Sequence, residues 1–216
     1  MVRAPVRRGG RRTPRGFLFE VSGGDPSLDF VNTVDLRPLA SRKELLATYA
    51  DVPSWARQAG LLTREQEAAL VKKASRDREA AERARKRLVE ARECLFQVLI
   101  AFVEGKDVPG DALDRWNRLV RRAAERFELV PLRERFAWRS ASDPGELDFL
   151  MWTIVHAAVA LLTGPEAPRI RSCASESCDW MFLDRSRRGN RRWCDMTVCG
   201  NRAKARRFYA RRRARS

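Results

Sequence analysis

The chain of 216 residues contains a single histidine, His156, and no apolar run that approaches the ~20 residues a membrane-spanning helix needs. Its most apolar stretch, residues 147–162, is interrupted by Asp148 and by that histidine. The sequence also lacks a nucleophile–base set, a paired-carboxylate motif, a glycine-rich phosphate loop and an HExxH motif. These absences argue against a membrane partner and against enzyme activity.

Acidic residues are scarce at both ends of the chain, where the net charge of +16 is concentrated. Residues 1–16 carry six arginines and no acid, and residues 169–216 carry 15 basic and four acidic side chains. Residues 17–168 are almost neutral, with 23 basic and 24 acidic side chains. A basic module attached to a neutral body is typical of proteins that bind polyanions.

No apolar segment of the kind found in secretory signals follows the basic start. We therefore expect a cytoplasmic, nucleoid-associated protein. In a reducing compartment, clustered cysteines hold metal more often than they form disulfides.

Four of the five cysteines follow the pattern C-x4-C-x15-C-x4-C near the C-terminal end. Two loops that each supply a pair of thiolates satisfy the tetrahedral coordination of zinc, and four thiolates leave no position for a catalytic water. A redox pair and chance clustering are the alternatives. The spacing favours a structural zinc site, with the ligands Cys173, Cys178, Cys194 and Cys199.

The sequence predicts a mainly α fold in three parts: a disordered basic arm (1–16), a helical domain with a small β-hairpin (17–168), and a zinc-finger module that ends in a basic helix (169–216). For the arm, a solvated tail and a DNA-contacting segment are both compatible with the composition. Capping residues and apolar periodicity predict helices at residues 28–34, 42–49, 51–60, 64–104 with a break near 75–77, 111–127 and 143–162. Two alternating runs, 128–132 and 135–140, predict the hairpin.

Several polar or reactive residues of the helical domain have plain structural interpretations. His156 follows the apolar face of its helix and reads as a core histidine. Cys94 shares a helix face with Ala91 and reads as a small buried hydrophobe. Asn32, Thr33 and Arg37 either cap helices, which we favour, or line a pocket with Trp55 and Trp152.

Two arginine-rich segments lie beside the cysteines. Residues 184–192 form a loop with five arginines. Residues 203–215 predict a helix without an acidic side chain, with Asn201 as its N-cap. Both could be solvated charge runs, but their position beside a zinc fold favours contact with phosphates, and Arg202 or Arg206 could read bases. The predicted nucleic-acid contacts are Arg187, Arg188, Arg191, Arg192, Arg202, Lys204, Arg206, Arg207 and Arg211.

The segment Cys199-Gly200-Asn201-Arg202, with Arg192-Trp193-Cys194 before it, resembles the CGNR-type zinc finger of bacteria. Upstream, residues 28–33 read LDFVNT, which is similar to the signature of the ABATE domain that precedes this finger in a family of stress-induced transcription regulators. The resemblance covers about residues 17–212. It implies a mostly helical N-terminal domain, zinc at the four cysteines and a DNA-binding role.

Together these observations predict a zinc-dependent transcription regulator whose partner is duplex DNA, with the helical domain as a sensor or interaction domain. One alternative is an RNA-binding protein, and another is a zinc-finger interaction module that docks an acidic protein partner. A small-molecule effector is compatible with the sequence, although no residue pattern indicates one.

Overall fold

The computed structural model describes residues 9–14 and 16–213, with the side chains of all of these except Arg207 and Arg213. The described part is mainly helical, with small hairpins and a four-cysteine cluster near the C-terminal end, which confirms the predicted fold class. The described residues pack as two compact units: those within Met1–Leu45 and Pro168–Ser216 form one, and Leu46–Ala167 form the other. None of the described helices combines the length and the apolar composition that a membrane-spanning segment requires.

The described elements follow one another in a simple order. They are β1 (Gly10–Thr13), β2 (Gly16–Phe19), α1 (Pro26–Val31), β3 (Val34–Asp35), β4 (Lys43–Glu44), α2 (Asp51–Gln58), α3 (Arg64–Arg76), α4 (Arg78–Glu104), α5 (Gly110–Ala124), β5 (Phe127–Pro131), β6 (Phe136–Ser140), α6 (Phe149–Thr163), β7 (Ile170–Ser172), β8 (Met181–Leu183) and α7 (Asn201–Arg213). The described strands form four antiparallel two-stranded sheets, in which β1 pairs with β2, β3 with β4, β5 with β6 and β7 with β8.

The predicted disorder of residues 1–16 is wrong for residues 10–13, which form β1 and pair with β2. Gly10 makes this pairing possible, because a Cβ at its φ of 128° would lie 2.0 Å from the carbonyl oxygen of Leu18. Phe17 and Phe19 meet edge to face on one side of the hairpin, with ring centroids 4.8 Å apart. Residues 1–8 and 15 of the predicted arm lie outside the described residues.

The predicted helix over 42–49 is also wrong, because Lys43 and Glu44 form β4 and pair with β3. The amide of Leu45 then donates to the carbonyl of Thr33 at 3.1 Å, which continues the pairing beyond the strand. Leu46 is buried. Extended pairing thus satisfies the backbone groups that the capping box would have served in a helix.

Helices α1, α3 and α4 have capping residues at their ends. Asp25 caps α1, and Thr63 exchanges hydrogen bonds with Gln66 in a reciprocal capping box at the start of α3. Asp77 separates α3 from α4 and caps the latter, and Gly105 ends α4 in the left-handed conformation with φ 64°. Side-chain acceptors and a left-handed glycine therefore set the lengths of these helices.

The central apolar helix α6 begins at Phe149, later than the predicted start at Asp143. The carboxylate of Asp143 accepts a hydrogen bond from the amide of Gly145 at 2.8 Å, which closes a local turn before the helix. Helices α4, α5 and α6 supply much of the core of the unit Leu46–Ala167, including Leu88, Leu95, Leu99, Trp116, Leu150, Trp152, Ile154 and Val155.

Two residues interpreted from the sequence as structural lie in this unit. Cys94 is buried, as predicted, and its thiol lies 3.2 Å from the carbonyl oxygen of Ala112. Burial raises the pKa of that thiol above its usual value. His156 is only half-buried and stacks on Phe127 with ring centroids 4.0 Å apart, and desolvation lowers its pKa.

Candidate metal centre and nucleic-acid interface

Short turns position the four cysteines, which come from two segments of the chain. The amide of Cys173 donates to the carbonyl of Trp180 across the β7–β8 hairpin at 2.8 Å, and Cys178 lies in the turn that joins the two strands. Cys194 precedes a π-helical turn, Met196–Gly200, which contains Cys199. The side chain of Asp195 caps that turn through the amide of Val198 at 2.8 Å.

The four sulfur atoms fit one metal ion. All lie within 4.8 Å of one another, and all four side chains are buried. Two of the separations, Cys178 to Cys194 and Cys194 to Cys199, are 3.6 and 3.7 Å. Four thiolates at 2.3 Å from a central zinc ion would lie about 3.8 Å apart, whereas a disulfide would bring two sulfurs to about 2.05 Å. None of these cysteines forms a disulfide, so all four thiolates are available to one metal ion.

Aromatic and aliphatic side chains surround the thiolates. Trp180 and Phe182 are almost completely buried against the cysteines together with Val198, and Trp193 packs on the same cluster while remaining half-exposed. These side chains form the core of the module together with the four cysteines. A cluster of this size buries little apolar area, so the metal must supply much of the stability of the module.

The zinc module also forms hydrogen bonds with residues 23–34 of the same chain, the segment that carries the LDFVNT motif. The side-chain amide of Asn32 donates to the carbonyl of Met181 and accepts from the amide of the same residue, both at 2.8 Å. It therefore pairs with the edge of β8 as a neighbouring strand would. The indole of Trp180 donates to the carbonyl of Val34 at 2.8 Å, and the amide of Leu183 donates to the carbonyl of Gly23 at the same distance.

These contacts assign Asn32 a role that neither sequence interpretation contained. The residue neither lines a pocket nor caps a helix with its side chain, but joins two segments 149 positions apart in the chain. Thr33 and Arg37, by contrast, cap local carbonyls, those of Phe30 at 2.7 Å and Val31 at 3.0 Å. The position of Asn32 beside the apolar residues Phe30, Val31 and Val34 was the only sequence signal for this contact.

Burial affects the pKa of two carboxyl groups in the same unit, those of the buried Asp29 and the half-buried Glu20. Burial raises the pKa of Asp29 to about 6, although the amide of Gly23 donates to its carboxylate at 2.7 Å. Burial raises the pKa of Glu20 to about 7, and the nearby negative charge of Asp195 acts in the same direction.

Comparison with known families agrees with this architecture. The ABATE family model, described as "Putative stress-induced transcription regulator", matches residues 24–165, about two thirds of the chain. The chain belongs to the ABATE family. Residues 169–212 match the CGNR zinc finger, so both predicted resemblances are confirmed and the four cysteines form a zinc site. No curated protein matches the chain. The two matched models describe a regulator and a zinc finger, and neither describes an enzyme.

The family matches and the compact units divide the chain differently. The ABATE match ends at residue 165 and the CGNR match begins at residue 169, close to the predicted boundary. In the structure, however, the described residues up to Leu45 pack in the same unit as the CGNR finger. The N-terminal part of the ABATE match thus folds with the zinc site. The unit Leu46–Ala167 holds the rest of that match.

The arginine loop of the CGNR finger comprises residues 184–192, and a buried aspartate fixes both of its ends. The carboxylate of Asp184 accepts from the amide of Ser186 at 2.9 Å and from the amide of Arg191 at 2.8 Å. The side chains of Arg187 and Arg188 are exposed between these two points. The loop therefore presents two arginines from a backbone that is anchored beside the zinc site.

Arg191 differs from its neighbours because its side chain turns inward. Its guanidinium lies 4.4 Å above the ring of Phe182 and donates to the carbonyls of Trp193, at 2.9 Å, and Cys194. These contacts brace the second cysteine pair, so the geometry gives Arg191 a positioning role in the finger. Arg192 is exposed and lies over the ring of Trp193 at 5.4 Å.

Helix α7 continues directly from the π-helical turn that contains Cys199. Its predicted contacts Arg202, Lys204, Arg206 and Arg211 are all exposed, whereas the side chain of Arg207 lies outside the described residues. Arg206 pairs with the exposed carboxylate of Glu176 at 2.8 Å. Arg206 and Glu176, together with Arg192 and Trp193, line a cleft of about 200 Å³ between α7 and the turn that joins Cys173 to Cys178.

Proposed function

We propose that this protein is a zinc-dependent, duplex-DNA-binding transcription regulator of the stress response, which acts in the cytoplasm on the nucleoid. Residues 46–167 serve as its sensor or interaction domain. The observation that carries the proposal is the segregation of charge. The unit Leu46–Ala167 has 20 basic and 19 acidic residues, which leaves 24 basic and nine acidic residues for the unit with the CGNR finger.

The finger supports phosphate binding through side chains whose positions depend on the metal. Arg187, Arg188 and Arg192 are exposed on a loop that ends at Cys194, and α7 begins two residues after Cys199. Zinc would join both segments to one rigid centre, so the cations approach a polyanion without a large ordering cost. Arg191 is excluded from the proposed contacts, since its donors serve the finger itself.

Phosphate contacts supply affinity, and base edges supply sequence preference. Arg202 and Arg206 are exposed near the start of α7, where an arginine can form a bidentate contact with guanine. Glu176 holds Arg206 in the free protein and would have to release it on binding.

Fluorescence anisotropy on duplex DNA at several salt concentrations tests this function. Replacing both Arg187 and Arg188 with alanine should reduce the slope of log affinity against log salt by about 1.8, because each neutralised phosphate releases about 0.9 counterion. Arg83→Ala is the matched control, since Arg83 is exposed on α4 in the neutral unit. Chelation of zinc should abolish binding.

Three outcomes would contradict the proposal. Binding that ignores salt and survives chelation would favour a module that docks an acidic protein. Stronger competition by structured RNA than by duplex DNA would favour an RNA-binding protein. Equal slopes for the double variant and Arg83→Ala would remove the loop from the interface.

A further inference from the structure

The β5–β6 hairpin of the unit Leu46–Ala167 has one apolar face. Antiparallel register places Leu129 opposite Trp138 and Pro131 opposite Phe136. Because directly paired residues lie on the same side of a two-stranded sheet, these four side chains share one face. None of the four is charged. We call these four residues the hairpin face.

The hairpin face continues outward from a contact with the helices. Phe127, which lies on the same side, stacks on His156. The ring of Trp138 lies at 70° to the same imidazole, with ring centroids 5.8 Å apart. Beyond this point the side chains extend into solvent. Phe136 is 68% exposed, Trp138 58% and Leu129 56%.

The opposite side of the hairpin is an ordinary solvated surface. Glu128 and Arg139 form an exposed ion pair there at 2.9 Å, beside the smaller and partly buried Val130 and Ala137. The large apolar residues of the hairpin thus lie on the hairpin face, opposite the Glu128–Arg139 ion pair. Contiguous exposed apolar surface of this kind marks an interaction site.

The area of the hairpin face fits the centre of a protein dimer interface. Buried aromatic residues each remove about 150–250 Å² from water, so covering the exposed parts of Phe136 and Trp138 would bury about 200–300 Å². Leu129 and Pro131 bring the total to roughly 400–500 Å². A standard interface buries about 800 Å² on each partner, of which about 65% is apolar in homodimers.

Charge indicates which partner this is. The turn between the strands reads Arg133-Glu134-Arg135, and the whole unit is nearly neutral, with 20 basic and 19 acidic residues. A polyanion or an anionic membrane would favour a rim of one positive sign. A rim of alternating sign complements itself when two copies meet about a twofold axis, because Glu134 of one copy can face the arginines of the other.

We infer that the hairpin face is a homodimer interface, in which Phe136, Trp138 and Leu129 of one copy pack against the same residues of a second copy. The basic unit with the CGNR finger would resist self-association through like charge, whereas the neutral unit allows close approach. The pairing does not depend on any contact with DNA.

Sedimentation velocity of the zinc-loaded full-length chain, without nucleic acid, tests this inference. The wild type should be dimeric at about 100 µM, where a dimer with a micromolar dissociation constant is almost completely formed. Phe136→Ser should weaken dimerisation at least about thirtyfold, as expected for a central aromatic contact. Its thermal midpoint at low protein concentration should stay unchanged, because the side chain is mostly exposed in one copy.

Phe208→Ser is the matched control, since Phe208 is similarly exposed on α7 in the other unit, at 58%. The inference is overturned if the wild type is monomeric at the highest concentration, or if both serine variants behave alike. A monomer that binds phosphatidylcholine vesicles through Phe136 would also overturn it and assign the face to a lipid surface.

Discussion

The two compact units of this protein are stabilised in different ways. In the unit Leu46–Ala167, helices α4, α5 and α6 bury leucine, isoleucine and tryptophan side chains against one another. In the unit with the CGNR finger, the described strands are two to four residues long, and a four-cysteine cluster lies at the centre of the C-terminal module. Burial of apolar area should dominate the first unit, and metal coordination the second.

The largest difference between the units should appear when a zinc ligand is lost. Structural zinc contributes about 10–16 kcal/mol of apparent binding free energy in small finger modules. Cys178→Ser should therefore lose stoichiometric zinc and the folded CGNR finger, while the helical circular dichroism from α3 to α6 persists. Metal content and far-ultraviolet spectra measure both effects.

Cys94 provides the control for this experiment, because it is the one cysteine outside the cluster. Cys94→Ser should keep one zinc ion per chain. Full zinc occupancy in Cys178→Ser would show that the cluster is not the metal site.

A substitution in the core of the helical unit should destabilise that unit and leave the zinc site intact. Trp152 is 6% exposed on α6, and Trp152→Ala should lower the free energy of unfolding of the helical unit by about 3–5 kcal/mol, through lost burial and a cavity. Zinc content should stay at one per chain. Denaturant unfolding monitored by circular dichroism tests the first part, and an unchanged midpoint would mean that this tryptophan does not support the core.

A smaller effect is expected from the contact between the LDFVNT segment and the finger. Asn32→Ala removes two buried hydrogen bonds and leaves the amide and carbonyl of Met181 unpaired, at a cost of about 2–4 kcal/mol. Competition with a chromophoric chelator should detect faster loss of zinc. Asn190→Ala, in the exposed arginine loop, should release zinc at the wild-type rate, and equal rates for the two variants would argue against the contact.

The sequence correctly predicted those features that depend only on residues close together in the chain. The spacing of Cys173, Cys178, Cys194 and Cys199 was sufficient to predict the zinc ligands, because four thiolates in two pairs have few other uses. Thr63 as a capping residue predicted the start of α3 for a similar reason, since a helix cap involves only neighbouring residues.

The errors arose where distant parts of the chain decide local structure. Lys43 and Glu44 have a capping residue before them, yet they pair as a strand because β3 offers its backbone groups. Arg191 has the same neighbours as the exposed arginines, but its orientation depends on the ring of Phe182 and on carbonyls near Cys194. Residue type and spacing contain no information about such partners.

Hydrogen–deuterium exchange with and without a zinc chelator tests most directly whether residues 23–34 fold as part of the zinc unit. Removal of zinc should abolish protection in peptides that cover residues 26–35 and 170–199 together, while peptides from α4 and α6 keep theirs. Protection of residues 26–35 that survives complete removal of zinc would contradict this claim, because the LDFVNT segment would then fold independently of the finger.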